Sequence, residues 1–296
     1  MRQVLVLINP KSGTGGPYRY IYAIEKVWDT PEHDVSFQFS QSGQDGMDKV
    51  RRAVERGTDT VLVVGGDGMV NTIGSVLVGT SARLGVIPSG SGNGFARHFD
   101  IPLQPDAAAE ALLNGETKAI DVGKVNDHLF FVTCSMAWDG ALVETFEKYP
   151  FRGLTPYILA GAAQFFEYKP QPFVANIDGE EIVFKQPLIF TVANLSQFGS
   201  DMIVAPDAKA DSGVLELVAV EKKDMPILLS QIHRIIDKTV FRSPHVINRH
   251  FRTMTVQRKT NSPIQIDGEI ICGDAFVKVE VLPGALNVIT PLHKSE

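Results

Sequence analysis

The sequence predicts an α/β fold with a mainly parallel, three-layer first part and a β-rich, antiparallel, sandwich-like second part. Over the first 125 residues, short apolar runs alternate with segments of helical spacing, as expected for parallel strands joined by crossover helices. After residue 125, apolar runs follow one another with few helical segments between them. The chain has 296 residues, 44% of them hydrophobic, which favours two domains over one.

The elements of the first part follow from hydrophobic periodicity. Strands are predicted over residues 3–8, 35–39, 60–64 and 84–87. Helices are predicted over residues 18–27, 44–56 and 69–79, followed by a short Ala-rich helix at 105–114. The first domain is therefore assigned to residues 1–125.

The second domain is assigned to residues 126–286, and a tail of about residues 287–296 is expected to pack back on the first. Strands are predicted over residues 119–125, 128–133, 173–177, 182–184, 188–193 and 214–220, with more between 254 and 282. Helices are predicted over residues 154–167 and 225–240. Neither an internal repeat nor a low-complexity segment is predicted.

Charge and composition exclude several classes of protein. The formal net charge of -6 argues against a dedicated nucleic-acid binder. No apolar stretch reaches the ~18 residues that span a bilayer, and the N-terminus lacks a signal-peptide pattern, so a cytoplasmic location is predicted. The two cysteines, Cys134 and Cys272, are too few for a disulfide framework or a zinc site.

One segment departs from the acidic average. Between residues 234 and 259 there is a single acid, Asp237, and the net charge of the segment is strongly positive. This segment is either a solvated face or a patch that meets anionic lipid head groups. Its basic residues are Arg234, Lys238, Arg242, Arg249, Arg252, Arg258 and Lys259.

Three glycine-rich turns each follow a predicted strand of the first domain. They occupy residues 9–13, 65–68 and 88–93. In an open parallel sheet such turns meet at the carboxyl edge of the strands, where glycine lets backbone N–H groups approach an anion. Each turn alone is weak evidence, but together they predict a nucleotide-phosphate site that is neither a Walker A loop nor a dinucleotide fingerprint.

The same turns resemble the signature segments of the diacylglycerol kinase catalytic family. The matching segments are Asn9-Pro10 with Ser12-Gly13, VVGGDGMVN at 63–71 and PSGSGNGFAR at 88–97. Later segments are similar to the second domain of that family. They are IDVG at 120–123, PDAKADSGVLELV at 206–218, IQIDGE at 264–269 and VLPGALNVITP at 281–291.

The resemblance implies ATP, Mg2+ and a lipid alcohol such as diacylglycerol or a sphingoid base, with ATP on the first domain and lipid on the second. Met69 and Gly94 replace residues that are common in relatives, which leaves the finer substrate open. The implied nucleotide-binding residues are Asn9, Lys11, Ser12, Ser40, Gly65, Gly66, Asp67, Gly68, Met69, Val70, Asn71, Ser89, Ser91 and Asn93.

Phosphoryl transfer needs a base for the attacking hydroxyl. The match of IQIDGE implies that Asp267 is this base and Glu269 its orienting neighbour, while Asp67 supports Mg2+ or the hydroxyl. Asp67 as the base is the competing assignment. The tripeptide recurs as Asp178-Gly179-Glu180, where an ordinary hairpin turn is expected.

Further expectations follow from the same resemblance. Asp211 matches a region that binds structural Mg2+ in some relatives, although it is first expected to be a turn residue. Peripheral contact with the inner membrane surface is expected, and a homodimer is left open. The alternative functions are a kinase of a soluble alcohol, similar to NAD kinase, and a nucleotide-binding regulator without turnover.

Overall fold

The computed structural model describes residues 1–10, 16–138, 168–199, 202–230 and 243–292. The chain forms two compact units. The first contains Met1–Val122, Gln197–Met202 and Pro283–Glu296, and the second contains Gly123–Ser196 and Ile203–Leu282. The predicted helix at 154–167 and most of that at 225–240 lie outside the described residues.

Four parallel strands in the order β2-β1-β3-β4 make up most of the sheet of the first unit. They are β1 (Arg2–Ile8), β2 (His33–Phe39), β3 (Thr60–Gly65) and β4 (Arg83–Pro88). Five helices accompany them: α1 (Tyr18–Trp28), α2 (Gly43–Glu55), α3 (Asp67–Leu77), α4 (Gly94–His98) and α5 (Pro105–Leu113). The predicted mainly parallel sheet is confirmed.

Helix packing in the first unit follows from the strand order. The chain passes from β1 outward to β2, then back across β1 to β3, so the direction of winding reverses between β1 and β3. Right-handed crossovers therefore place α1 on one face and both α2 and α3 on the other. In agreement, α1 packs against α5 and α2 packs against α3.

Strand β5 (Glu116–Val125) runs from the first unit into the second, where its last residues form a hairpin with β6 (His128–Phe130). The remaining strands are β7 (Thr133–Ser135), β8 (Phe173–Ile177), β9 (Glu180–Phe184), β10 (Pro187–Ala193), β11 (Gln197–Gly199), β12 (Met202–Ile203), β13 (Leu215–Glu221), β14 (Ile247–Phe251), β15 (Thr253–Gln257), β16 (Ile264–Ile266), β17 (Glu269–Ile271) and β18 (Phe276–Thr290). A 3₁₀ turn at Lys222–Asp224 leads into α6 (Met225–Ser230).

Two antiparallel sheets form the sandwich of the second unit. One has the order β14-β13-β10-β7-β16-β17, and the other pairs the first residues of β18 with β15, β8 and β9. Apolar side chains from both sheets share one core, among them Phe190, Leu217, Met254 and Val277. The predicted β-rich antiparallel domain is confirmed. The last residues of β18 pair in parallel with β4 and belong to the first unit.

Two local features differ from the sequence-based expectation. The strand predicted over 128–133 is interrupted after Phe130. The N–H groups of Phe131 and Val132 donate to the Asp267 carboxylate instead of to a neighbouring strand. Arg258 is only 4% exposed, so it is no part of a surface patch. It lies on the inward face of its strand with Met254 and Val256, and its guanidinium donates to the carbonyls of Ser262 and Asp274.

Candidate active site

Four strands of the first unit end at one edge of the sheet, and each is followed by a predicted site residue. Ser40 donates its N–H to the Ile8 carbonyl at 2.9 Å, and Asn9 donates to Val64 at 3.2 Å. Ser89 donates to Gly65 at 3.0 Å. The ends of β1 and β3 flank the reversal of winding, which is where open α/β sheets bind ligands. Lys11 and Ser12 lie outside the described residues.

The second and third turns touch through their backbones. A Cβ built on Gly90 would lie 2.6 Å from the Gly66 Cα, and one built on Gly66 would lie 3.0 Å from the Gly90 Cα. Both atoms belong to backbone, which cannot move aside as a flexible side chain can. These two glycines are thus required by the contact between the turns, independently of any ligand.

Asn93 fixes the shape of the third turn. Its φ of 52° is left-handed, which Asn tolerates better than most residues. Its side-chain amide accepts from the Gly90 N–H at 2.9 Å and donates to the Gly90 carbonyl at 2.8 Å. Ser91, between them, is exposed. Asn93 is therefore a structural residue of the turn as well as a predicted nucleotide contact.

Asp67 joins the second turn to the third. Its two carboxylate oxygens accept from the N–H groups of Gly94 and Phe95, each at 3.0 Å, at the start of α4. Each oxygen makes one of these bonds and has a further lone pair. Asp67 is thus held in one orientation at the sheet edge and retains acceptor capacity for a cation or a hydroxyl.

The remaining residues of the GGDG segment begin α3. Gly66 is its N-cap residue, and its carbonyl accepts from the N–H groups of Met69 and Val70. The Val70 side chain is buried in the core, whereas Gly68 and Asn71 are half-buried. The N-terminus of α3 points its partial positive charge toward the same edge, where an anion is stabilised.

In the second unit, Asp267 and Gly268 form the two-residue turn between β16 and β17. Their φ angles are 48° and 94°, as a type I′ turn requires. The Asp267 carboxylate accepts from three backbone N–H groups, of Phe131, Val132 and Thr133, at 2.8, 2.8 and 2.9 Å. Its own N–H donates to the Thr133 carbonyl at 2.9 Å. Asp267 therefore ties the hairpin to the start of β7.

The repeated tripeptide builds the same structure in the other sheet. Asp178 and Gly179 have φ angles of 49° and 94° between β8 and β9. The Asp178 carboxylate accepts from the N–H groups of Arg252 and Thr253, and its own N–H donates to the Thr253 carbonyl at 3.0 Å. Burial opposes ionisation of Asp178, but these backbone bonds outweigh it and hold its pKa below the usual range.

The equivalence extends beyond the turns. Ile177 pairs with Met254 in one sheet, and Ile266 pairs with Cys134 in the other, each one residue after the anchoring threonine. The anchoring segments read FRTMT at 251–255 and FVTCS at 131–135, and the hairpins are NIDGEEI at 176–182 and QIDGEII at 265–271. The expectation of no internal repeat is wrong, because a short strand and hairpin unit occurs twice.

The two copies differ in their glutamates and threonines. Glu180 forms an ion pair with Arg249, with nitrogen to oxygen distances of 3.3 Å. Glu269 is exposed, and within the part of the chain that the structure describes it has no ion pair. The Thr253 hydroxyl donates to Asp178 at 3.2 Å, whereas the buried Thr133 hydroxyl has no hydrogen-bond partner among the described residues. Of the two glutamates, Glu269 is thus the one available to meet a substrate.

Two acidic residues lie on or before β13. Asp211, the predicted metal ligand, is exposed in the turn before this strand. Among the described residues no three His, Cys, Asp or Glu side chains cluster as metal ligands, and the Asp211 site stays a prediction. Glu216, which sequence reasoning missed, is 2% exposed, and burial with the nearby Asp207 raises its pKa to about 7. It lies on the same face of β13 as Val218 and Val220, which are also buried.

An α/β unit with a GGDG turn at the carboxyl edge of its sheet, followed by an antiparallel sandwich, is the arrangement expected from the resemblance to diacylglycerol kinases. Residues 3–125 match the family model of the diacylglycerol kinase catalytic domain. Residues 134–290 match the YegS C-terminal NAD kinase beta sandwich-like domain. The chain thus combines a diacylglycerol kinase catalytic domain with the YegS C-terminal domain, and it belongs to the family defined by the latter, whose model spans more than half of the residues.

Individual relatives agree over the whole chain. A diacylglycerol kinase of Mycobacterium tuberculosis is 27% identical over 302 residues, covering 98% of this chain and 96% of the relative. A Salmonella paratyphi A protein named "Probable lipid kinase YegS" is 27% identical over 296 residues, covering 97% and 95%. The crystal structure of a diacylglycerol kinase from Bacillus anthracis superposes with a TM-score of 0.81 at 20% identity, covering 98% of this chain and 97% of that one, which supports the fold.

The helices in the described part of the chain are all too short or too polar to cross a membrane.

Proposed function

We propose that the protein is a lipid kinase that transfers the γ-phosphoryl group of ATP to a hydroxyl of a lipid such as diacylglycerol or a sphingoid base. The observation that carries the proposal is the convergence of the glycine-rich turns and the N-terminus of α3 at the winding reversal of the first sheet. This arrangement suits the phosphates of a nucleotide, and the relatives that match the chain end to end are named as lipid kinases.

The first unit is proposed to hold ATP. Backbone N–H groups at the start of α3 and in the turn before α4 would meet phosphate oxygens, and the hydroxyls of Ser40, Ser89 and Ser91 would add donors. Asp67 fits Mg2+, because this ion takes oxygen ligands and commonly uses one or two carboxylates beside phosphates and water. The bound ion would neutralise phosphate charge during transfer.

The second unit is proposed to supply the base. Asp267 would accept the proton of the attacking lipid hydroxyl, and its three backbone donors would keep the carboxylate in one orientation. Glu269, exposed beside it, would orient the acceptor. Asp67 is the competing candidate for the base.

A substrate panel tests the reaction. ATP labelled in the γ-phosphate is incubated with the protein, Mg2+ and either a crude lipid extract or NAD, and the label is followed into the organic phase. The proposal expects a labelled lipid. The sandwich domain's likeness to NAD kinase favours a soluble alcohol as the second candidate, and label only in NADP would establish it in place of the first. ATP binding without any transfer would indicate a regulator.

A further inference from the structure

One row of side chains crosses the outer face of the β18-β15-β8-β9 sheet at one end of its strands. Phe276 pairs with Gln257, Gln257 pairs with Val174, and Val174 pairs with Val183. Directly paired residues point to the same side of a sheet, so these four side chains share a face. The row spans three strand spacings, which is roughly 14 Å.

The apolar members of this row are open to solvent. Phe276 is 60% exposed and Val183 is 55% exposed, while Val174 is half-buried between them. The neighbouring residue Val277 points the other way and is fully buried in the sandwich core. The exposed side chains are thus on the outward face by strand alternation, and within the described chain nothing covers them.

Basic residues surround this end of the sheet. The loops that enter or leave the four strands here contribute three exposed lysines, Lys169, Lys185 and Lys259. In these same loops the exposed acidic residue is Asp274, whose carboxylate accepts a hydrogen bond from the Asn126 side chain. These lysines together with Phe276, Val174 and Val183 are called the lysine-flanked row.

The opposite end of the same strands has a different character. There the outer face and turns carry four acids, Asp178, Glu180, Glu181 and Glu280, and four basic residues balance them. Arg252 and Lys278 lie beside them, while Arg249 and Lys124 form ion pairs with Glu180 and Glu280. The apolar row therefore coincides with the end of the sheet that has an excess of basic residues, and the charge-balanced opposite end lacks exposed large apolar side chains among the described residues. Apolar side chains that enter an interface, ringed by cations, are what an anionic bilayer binds.

We propose that the lysine-flanked row is the surface by which the protein docks on a lipid bilayer that carries anionic head groups. The proposal rests on the proposed function, because a kinase of a bilayer lipid has to reach its acceptor there. Phe276 and Val183 enter the head-group boundary, and the three lysines lie over the anionic head groups. This surface differs from the basic segment at 234–259, of which it includes Lys259 alone.

Sedimentation with vesicles tests docking without catalysis. The parent should bind vesicles of phosphatidylcholine with phosphatidylglycerol more tightly than vesicles of phosphatidylcholine alone. Changing Lys169, Lys185 and Lys259 to Gln should weaken binding about fivefold for each lysine, because a lysine near an anionic surface contributes about 1 kcal/mol. Phe276→Ser with Val183→Ser should weaken binding by roughly tenfold or more, and that loss should persist in high salt.

The matched control is Arg252→Gln, at the opposite end of β15 and ~17 Å from Gln257 along the strand. It removes one positive charge and should leave vesicle binding unchanged. Equal binding by the parent and the lysine and apolar variants, or an equal loss in the control, would overturn the proposal. A dimer of the parent that Phe276→Ser dissociates would also overturn it, since the row would then be covered by a second copy.

Turnover separates this proposal from the function on which it rests. With a short-chain lipid acceptor dissolved as monomers, the variants should keep the parental rate, and with the same acceptor class in vesicles they should lose activity as they lose binding. A parent that phosphorylates neither acceptor contradicts the proposed function, while its vesicle binding still tests the surface. Variants that lose both activities equally contradict the docking role.

Discussion

At the scale of single residues, Glu216 shows how burial changes the chemistry of a carboxyl group. It lies opposite His250 in the β13-β14 ladder, with its Oε2 atom 3.9 Å from the imidazole Nε2 atom. That oxygen has no hydrogen-bond partner within the described residues. Burial first, and then the negative charge of Asp207, raise its pKa to about 7. The proton is therefore held more tightly in the folded protein than in the unfolded chain.

The sign of the resulting pH dependence follows from linkage. The folded protein binds the extra proton between pH 4.5, where a glutamate side chain ordinarily titrates, and its folded pKa of about 7, so stability falls as pH rises through that interval. The free energy of unfolding, from urea titrations at pH 5 to 8, should fall by on the order of 3 kcal/mol.

Glu216→Gln is the control, because glutamine resembles the protonated acid. The variant should lose most of this pH dependence and be more stable than the parent at pH 8. Parallel pH profiles for parent and variant would show that Glu216 does not titrate in this range.

Asp67 is the residue whose two roles can be separated. Asn in its place can accept only one of the two N–H bonds from Gly94 and Phe95, and should cost about 1–2 kcal/mol of unfolding free energy. The loss of charge should also raise the Mg2+ concentration needed for half-maximal ATP binding, measured by calorimetry. Asp106→Asn, at an exposed site on α5, should change neither quantity. An unchanged Mg2+ requirement in folded Asp67→Asn protein would assign Asp67 to structure alone.

At the scale of elements, the close approach of two turns shapes the ligand edge. Gly90→Ala would place a methyl group 2.6 Å from the Gly66 Cα, so the turns must separate. We expect ATP affinity to fall at least tenfold, because the N–H groups of both turns would move, with a stability loss of about 1–3 kcal/mol. Gly43→Ala is the matched control, since its nearest neighbour is Thr72 at 3.5 Å. Parental ATP affinity in Gly90→Ala would place the nucleotide elsewhere.

The paired hairpins show what sequence could and could not predict at this scale. The Asp-Gly turn at 178–179 was predicted from the flanking apolar strands, because type I′ turns favour this dipeptide. The equivalence of Asp178 and Asp267 was not predicted, since each depends on a strand that is distant in sequence. The two strands, β15 and β7, both begin with threonine but have little sequence similarity. Their common role in anchoring an Asp-Gly turn becomes visible only when the strand pairing is known.

At the scale of the whole molecule, the change from parallel to antiparallel strands was predictable. Each strand of the first sheet's centre is a continuous apolar run, as expected when both faces are covered, whereas β15 and β8 of the second unit alternate. Short or exceptional elements were not predicted. Helix α4 has five residues and follows a run of Gly and Ser, and the Asp67 carboxylate accepts from the N–H groups of its first two residues. Glu216 shares a buried face of β13 with Val218 and Val220, and a carboxyl group is not expected at such a position.

In the candidate site, too, some features could be predicted from the sequence and others could not. Motif order and glycine placement predicted which residues meet at the edge of the first sheet, because parallel strands share a carboxyl edge. The anchoring of Asp267 by Phe131, Val132 and Thr133 was not predicted, since it joins segments that are distant in sequence. To separate a structural role of Asp267 from a catalytic one, a change at Asp267 therefore has to be compared with the same change at Asp178, the equivalent residue of the other hairpin.

The most direct test of the account is the rate of phosphoryl transfer from ATP to lipid in Asp267→Asn and Asp178→Asn proteins of matched folded fraction. Both changes keep a residue that tolerates positive φ and remove equivalent acceptors of backbone N–H groups, so both should cost similar stability. A general base contributes about 10²- to 10⁴-fold, so kcat should fall by that order in Asp267→Asn alone, with ATP affinity preserved. Near-parental turnover in Asp267→Asn, or an equal loss in Asp178→Asn, would contradict the assignment of the chemistry to the second hairpin.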